Sequence, residues 1–309
     1  MAPGMSELDK LIAQVYAPRI LVEVQHNTVS NLITNTEYSA QLRAYGDNIL
    51  IPFSTPMKSR LSAIGAKHVY DNYTFNNIKL KIDHVRTWGF TTHKADNVQS
   101  YYKDYAGYVR EACSQGFQED IDLEVFSEMA LAAYVKGNAW NNRWNLGSIG
   151  TPVAVNPDNA LRILNNIETA ARETLWTDKS EMFAVCPWWF INNVAQSDLK
   201  NISIVGGTES PVKKGIYTLY KARTSNITLI ASTLLPYLNP ATSLSQILFG
   251  TKRAMSQVIQ ISGMGIIRGS TDMPTTDFHW GEFVYGRGVI HNKELGQAVI
   301  IPASGAFGV

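Results

Sequence analysis

The feature that most constrains the fold of this chain is a long helical pattern from Asp96 to Lys136. Asp96 and Gln99 stand three residues apart, as the partners of a capping box do, and predict the start of the helix. About 40 residues of helix would measure on the order of 60 Å, which predicts a rod that supports an extended subunit. A break in the helix is predicted near Gly116. The apolar and aromatic residues that recur every three or four positions on one face are Val98, Tyr101, Tyr102, Tyr105, Val109, Ala112, Cys113, Ile121, Val125, Phe126 and Met129.

The charge content of the chain is low and balanced. Of the 309 residues, 17% are charged and 45% are hydrophobic, and the net charge is +1. An ordinary soluble domain is about 25% charged, so the composition indicates a surface largely covered by neighbouring copies, although a large enzyme core would look similar. The missing basic excess argues against a dedicated nucleic-acid binder, and copies with so little net charge can pack without strong repulsion.

The two cysteines and the apolar runs indicate a cytoplasmic protein. Cys113 and Cys186 lie far apart and form no Cys-x-x-Cys motif, so neither a disulfide framework nor a zinc site is predicted. No apolar run approaches the roughly 18 residues of a membrane-spanning helix. The first residues lack the charged-then-apolar layout of a signal peptide.

A second informative pattern alternates with a period of two residues from Asn77 to Phe90 and predicts a long strand. A shorter strand is predicted at Asn48–Ile51, after the turn Gly46-Asp47 and before Pro52, which should end it. Together the two strands would form an extended ribbon. A two-stranded ribbon is marginal alone in water, so its apolar side should rest on another subunit, the alternative being that the long strand lies inside a sheet. Five residues of this stretch are predicted contacts between subunits: Lys79, Lys81, Arg86, Trp88 and Phe90.

The rest of the chain predicts an arm, an α/β unit and a set of short strands. Residues 1–45 have sparse charge and no strong period, which favours an extended arm with one short helix. Residues 137–155 predict a loop. The later elements are predicted as a helix from Asn156 to Leu175, a strand at Met182–Cys186, a short helix from Trp188 to Val194, strands at Tyr217–Ala222 and Asn226–Ile230, a strand near Ile247–Gly250, a helical turn over Ala254–Ile259, and strands at Phe278–Val284 and Ala298–Ile301.

No catalytic, cofactor-binding or metal-binding residue is predicted. Ser197 and Lys200 match a Ser-x-x-Lys pattern but lack its partner motifs, and the six histidines lack metal-ligand spacing. Paired carboxylates can act as acid and base, yet a solvated or interfacial face is the preferred interpretation of the acidic cluster Glu119, Asp120, Asp122 and Glu124. Core or interface packing is likewise preferred over sugar stacking for Trp140, Trp144, Trp188 and Trp189.

The order of these parts resembles the major capsid proteins of tailed bacteriophages, which have the Hong Kong 97-type fold. Three local signatures carry the resemblance: the strand after Gly46-Asp47, residues 90–96 leading into the long helix, and the closing stretch Val284–Val289. The resemblance implies an α+β fold with an N-terminal arm, an extended β-hairpin loop, a peripheral domain with a long spine helix and an α/β axial domain. The implied divisions are an arm at 1–45, an extended loop at 46–95, a peripheral domain with the helix at 96–137, an axial domain at 138–240, peripheral strands at 241–290 and a tail returning to the axial domain at 291–309.

The resemblance also implies a function without catalysis. Such a chain would self-assemble as hexamers and pentamers into an icosahedral shell around phage double-stranded DNA. It would be assembled in the host cytoplasm and reside in the virion capsid. Scaffolding and portal proteins, and cement proteins where they are used, would be its partners, with weak non-specific DNA contact and no membrane. Two alternatives stay open: an encapsulin-like nanocompartment shell, and an α/β glycan-binding or hydrolytic enzyme that uses Glu119, Asp120 or the tryptophans.

Overall fold

The structure is a computed structural model of the chain and combines helices with β-sheets, as the predicted α+β class requires. The residues that it describes are 28–38, 48–54, 59–65, 67, 70, 75–93, 105–136, 144–174, 182–205, 219–221, 227–235, 238, 243–268 and 273–303. They fall into two compact units. The smaller unit contains the described residues within 88–116 and 264–281, and the larger one contains the described residues within 26–87, 117–263 and 282–309.

The helices and strands are named here in chain order. The α-helices of the described residues are α1 Ser30–Ile33, α2 Tyr105–Ala132, α3 Ala160–Glu173 and α4 Trp188–Val205. The strands are β1 Asn48–Ser54, β2 Phe75–Lys81, β3 His84–His93, β4 Val153–Val155, β5 Met182–Cys186, β6 Leu219–Lys221, β7 Ile227–Ala231, β8 Ser245–Thr251, β9 Met255–Arg268, β10 Thr276–Val289 and β11 Leu295–Pro302.

Helix α2 is the long helix that the sequence predicts. It runs for 28 residues and continues through Gly116, so the predicted break there is wrong. A single glycine costs a helix only about 1 kcal/mol, and the buried stripe that begins at Phe117 more than offsets this cost. The predicted start at Asp96 lies outside the described residues.

Helix α2 ends at Ala132, four residues before the predicted end at Lys136. The cause is a competing acceptor. The backbone N–H groups of Tyr134 and Val135 donate to the carbonyl oxygen of Leu295 at 3.0 and 3.2 Å, which ties this segment to β11 and pulls it out of the helix.

A six-stranded sheet in the order β4-β11-β8-β5-β7-β6 forms the centre of the larger unit. Strand β5 pairs parallel with β7 and antiparallel with β8, and both β5 and β8 are buried along their whole length. Alternate residues supply two cores. Ala184 and Phe249 pack with residues of α3 and α4, whereas Val185 and Leu248 pack with residues of α2. Because both faces of β5 are covered, its sequence is a continuous apolar run, as predicted.

The ribbon of β1 and β2 forms as predicted, with an antiparallel register from Asn48 opposite Lys81 to Ser54 opposite Phe75. Pro52 does not end β1, which corrects the prediction. Both strands of a two-stranded ribbon are edges, and an edge strand accommodates proline because one side needs no backbone donor.

The long alternating stretch bends at Ile82 and Asp83, so it forms two strands instead of one. Its alternation is confirmed, because the even-numbered side chains from Ile78 to Phe90 are buried or half-buried and the odd-numbered ones are exposed. Strand β2 belongs to the ribbon, whereas β3 lies in a three-stranded sheet of order β3-β10-β9. The alternative interpretation, a strand inside a sheet, therefore holds for β3. The contact of the ribbon with another subunit stays a prediction. The base of the ribbon packs on the chain's own Val258.

Several later boundaries differ from the prediction. Helix α4 extends to Val205 instead of Val194, the predicted loop contains β4, and the predicted helical turn over Ala254–Ile259 is a short 3-10 helix followed by β9. Ala254 and Val258 are four residues apart, which mimics a helix, but pairing with β10 decides the outcome. Strand β8, which the predicted division groups with the peripheral strands, lies in the six-stranded sheet. The domain boundaries otherwise stay a prediction.

Candidate assembly interface

A cluster of charges on α2 fixes β3 to the helix. Arg86 donates through Nη1 to Asp120 Oδ2 and through Nη2 to Glu124 Oε1, both at 2.5 Å. Tyr285 of β10 donates from its hydroxyl to Glu124 Oε2 at 2.7 Å and accepts from Arg86 Nε at 3.2 Å. Asp120 and Glu124 of the acidic cluster are therefore an anchor for strands that follow the ribbon.

A second guanidinium completes this cluster, which we call the α2 clamp. Arg287 of β10 donates from Nε to Glu128 Oε2 at 2.7 Å and forms an ion pair with Glu124. Burial and the nearby charge of Arg86 lower the pKa of Arg287, while burial raises the pKa of Glu128. Arginine stays protonated in proteins despite such shifts, so each charge depends on its partners. Three carboxylates (−3) and two guanidiniums (+2) give the clamp a formal charge of −1.

Asp122 holds the N-terminal segment against the same helix. Its carboxylate is fully buried and accepts from the backbone N–H groups of Val29 at 2.6 Å and Ser30 at 3.0 Å, at the start of α1. Burial raises the pKa of Asp122, and the hydrogen bonds from Ser30 and Val29 oppose that rise. The segment then pairs with β9, where Asn35 exchanges backbone hydrogen bonds with Met255 and Gln257. Sequence reasoning missed this role because nothing local distinguishes Asp122 from its acidic neighbours.

The far end of the ribbon exposes apolar side chains that nothing in the described chain covers. Leu61 and Ile64 have relative exposures of 106% and 108%, so they are as open as in an extended peptide. Leu50 and Phe53 of β1 are also exposed. A soluble monomer rarely keeps such a set in water, and a set of this kind marks a surface that another molecule covers. The only sequence signal was a pair of apolar residues within an otherwise polar, turn-rich segment.

Other exposed apolar residues surround the end of α2. Leu131 and Tyr134 are exposed, and so is Ile149, which lines a cavity of about 330 Å³. Its walls include Lys136, whose Nζ donates to the carbonyl oxygen of Leu131 at 3.2 Å, and Ile149.

The five predicted contact residues divide into two groups. Lys79 and Lys81 of β2 are exposed. Arg86 belongs to the α2 clamp, while Trp88 and Phe90 stack on each other with ring centroids 5.8 Å apart. Their contacts with other subunits stay a prediction.

The smaller unit contains an aromatic stack around one histidine. The ring of Phe90 lies parallel to that of His279 at 4.6 Å, and Thr92 Oγ1 lies 3.1 Å from His279 Nε2. Burial lowers the pKa of His279, and the positive charge of Arg110 adds to this while Asp277 opposes it. A neutral, stacked ring of this kind is a packing element of the sheet.

Across the described ranges, no three His, Cys, Asp or Glu side chains are grouped so that they could hold a metal ion. Within those same ranges, no helix is both long and apolar enough to span a membrane.

Solved structures with the same fold match nearly the whole chain. A structure from Mycobacterium phage Che8 matches with a TM-score of 0.72 at 16% identity and covers 93% of this chain and 96% of its own. The head structure of Helicobacter pylori bacteriophage KHP40 has a TM-score of 0.67 at 10% identity, covering 97% and 98%. The capsid of Ralstonia phage GP4 has a TM-score of 0.62 at 11% identity, covering 98% of each chain. No protein-family model matches the chain, and no curated protein matches it in sequence.

These matches confirm, at the level of fold, the resemblance inferred from the order of the sequence elements. At identities of 10% to 16%, the chain shares an architecture with these structures and few of their side chains. The contacts described above are therefore those of this chain's own side chains.

Proposed function

We propose that this chain, whose fold is that of phage capsid proteins, is a major capsid protein that assembles as hexamers and pentamers into an icosahedral shell around double-stranded DNA. The observation that carries the proposal is the full exposure of Leu61 and Ile64 on a ribbon, in a chain that matches phage capsid structures over nearly its whole length. A neighbouring copy would cover these side chains. Closed rings of copies bury such surfaces without leaving a free edge.

The proposal assigns a structural role and no catalysis. Asp120, one of the residues considered for chemistry, binds Arg86 instead. The near-neutral net charge of +1 suits a wall that contacts packaged DNA weakly, because phosphate binding grows with the number of cations offered. Scaffolding and portal proteins would be its partners during assembly in the host cytoplasm, and the virion capsid its final location.

Electron microscopy of the purified protein tests the proposal. The full chain, expressed alone and together with a scaffolding protein, is expected to give closed particles in negative stain. A double variant, Leu61→Asp with Ile64→Asp, is expected to lower particle yield at least tenfold, because charged groups at a covered apolar contact are expensive to desolvate. Its subunit stability should stay within about 0.5 kcal/mol of the unmodified chain, because both side chains are exposed in the subunit.

Asn77→Asp is the matched control, because it adds a negative charge at an exposed position of the same ribbon. It is expected to assemble normally. A chain that stays monomeric with and without scaffold would refute the shell proposal. Normal particles from the double variant would show instead that the ribbon end is not covered in the shell.

A further inference from the structure

The stretch Tyr285–Val289 alternates large polar side chains with glycines. Successive residues of a strand point to opposite faces. Tyr285 and Arg287 therefore share one face of β10, and Gly286 and Gly288 share the other. The first face carries the hydroxyl and guanidinium that bind Glu124 and Glu128 in the α2 clamp.

The glycine face receives the base of the ribbon. A Cβ atom at Gly286 would collide with the carbonyl oxygen of Lys81 and lie 2.9 Å from Cγ1 of Ile82, and one at Gly288 would lie 2.8 Å from Cδ1 of Leu80. Carbon atoms in normal contact lie about 3.5–4.0 Å apart. The backbone at both glycines has an ordinary negative φ, so the need for glycine here is one of space alone.

The contacts of this face coincide with the bend of the chain. Strand β2 ends at Lys81, the bend occupies Ile82 and Asp83, and β3 begins at His84. Leu80 and Ile82 are buried in a small core with Ile49, Ile51 and Val258. Beyond that core, no apolar side chain of the described chain covers the ribbon. Its direction is therefore set by the contacts of its base with β10.

We infer that Tyr285–Val289 is a two-faced joint, in which the clamp on one face and the glycines on the other fix the angle at which the ribbon leaves the subunit. Gly286 is the positioning residue of the joint. Applied to assembly, the inference rests on the proposed function, because the ribbon angle then decides which surface of a neighbouring copy Leu61 and Ile64 reach. Neither face suffices alone: the clamp orients β10, and the glycines let the ribbon lie against it.

The displacement expected from a substitution at Gly286 grows along the length of the ribbon. A methyl group at Gly286 requires a displacement of about 1 Å at the joint to restore normal contact. The ribbon extends seven residue pairs from Asn48–Lys81 to Ser54–Phe75, which is roughly 20 Å at the usual rise. A displacement of more than about 1 Å is therefore expected at the far end of the ribbon, because that end lies farther from the pivot than the joint does.

A distance measurement on the unassembled full chain tests the joint. Spin labels are placed at Ile64→Cys and Leu131→Cys, both exposed positions of the larger unit, in a Cys113→Ser background; Cys186 is fully buried and does not react. Gly286→Ala is expected to shift the mean distance between the labels by more than about 1 Å and to broaden its distribution. The same variant, without labels, is expected to give misshapen particles or at least a tenfold lower yield of closed ones.

Gly116→Ala is the matched control, because a Cβ atom there meets nothing within 4 Å, and its distance distribution should equal that of the unmodified chain. Glu124→Gln, which keeps the size of the side chain and loosens the opposite face, should broaden the distribution and decides the matter if Gly286→Ala does not fold. An unchanged distribution in both variants would overturn the joint. A shifted distance in a chain that never forms particles would uphold the joint and remove the proposed function.

Discussion

The six-stranded sheet and the ribbon of the same chain differ in how much of their surface the chain itself buries. Strands β5 and β8 are buried along their full length, because helices α3 and α4 cover one face and α2 the other. The ribbon is covered only at its base and ends in fully exposed apolar residues. The sheet is thus covered by its own chain, whereas the described residues do not cover the far end of the ribbon. A substitution in the sheet should change the stability of one subunit, and a substitution in the ribbon should change how subunits associate.

The largest expected effect contrasts two identical substitutions. Leu164 of α3 is fully buried against the sheet, so Leu164→Ala should lower the free energy of unfolding by about 2–5 kcal/mol. Leu61→Ala in the ribbon should change it by less than about 0.5 kcal/mol, because the side chain is already exposed. Urea unfolding of the unassembled subunit measures both. A loss above 1 kcal/mol for Leu61→Ala would show that the ribbon end packs on its own chain.

The next effect separates two glutamates that each bind an arginine. Glu124 is the centre of the α2 clamp and binds groups from two strands, so Glu124→Ala should cost about 2–3 kcal/mol, because it leaves Arg86 and Arg287 with fewer partners. Glu168 of α3 pairs with Arg172, four residues along the same helix. Glu168→Ala should cost about 0.3–0.5 kcal/mol. Equal losses in thermal unfolding would argue that the clamp contributes no more than a surface pair.

A smaller effect of opposite sign is expected in α2. Gly116 lies inside the helix with open space around it, so Gly116→Ala should raise the free energy of unfolding by about 0.5–1 kcal/mol, because alanine loses less backbone entropy on folding. Calorimetry of the subunit checks this value. Destabilisation would mean that the helix is not continuous through this point in solution.

The smallest effect is a change in the pH dependence of the larger unit. Burial acts to raise the pKa of Glu294, but hydrogen bonds from Arg253 and Thr251 and the charge of Arg253 outweigh it and lower the pKa below its ordinary value of 4.5. A carboxyl whose pKa is lower in the folded state stabilises the protein above its unfolded pKa, and that contribution is lost as the pH falls through the folded pKa.

Glu294→Gln should therefore flatten the decline in stability between about pH 5 and pH 3. Asp122 has the opposite shift, so its ionisation costs stability as the pH rises through its folded pKa, and Asp122→Asn should change the slope in the opposite sense. Melting temperatures over this pH range measure both slopes. Parallel profiles for Glu294→Gln and the unmodified chain would contradict the assigned pKa shift.

The sequence predicted elements whose patterns are local. The apolar run Met182–Cys186 and the helical spacing in Ala160–Glu173 are each read within a few residues, and both form as predicted. Pro52 and Ala254–Ile259 were misread, because their outcome depends on which strands lie beside them. A local pattern cannot tell an edge strand from a central one.

The α2 clamp and the joint lay beyond sequence reasoning for the same reason. Arg86 and Glu124 are separated by 38 residues and Arg287 and Glu128 by 159, so nothing in the neighbourhood of any one of them indicates its partner. The sequence singled out the stretch around Tyr285–Val289 as a signature. The reason for its alternating glycines is the close contact with Ile82, which only the structure shows.

The anchoring of the N-terminal segment has a consequence for the order of folding. Val29 binds Asp122, 93 residues later, and Thr34 lies within hydrogen-bond distance of Gln257, 223 residues later. Loops of such length close slowly, because their entropy is lost before the contact forms. We expect pulsed hydrogen exchange during refolding to show the amides of this segment protected after those of β5.

During synthesis on the ribosome, the same separation in sequence delays the docking of the N-terminal segment. The segment around Asn35 cannot complete its pairing until β9 has been synthesised, since β9 supplies its final partners. A chain synthesised only as far as β8 therefore lacks the backbone hydrogen bonds of Asn35 with Met255 and Gln257.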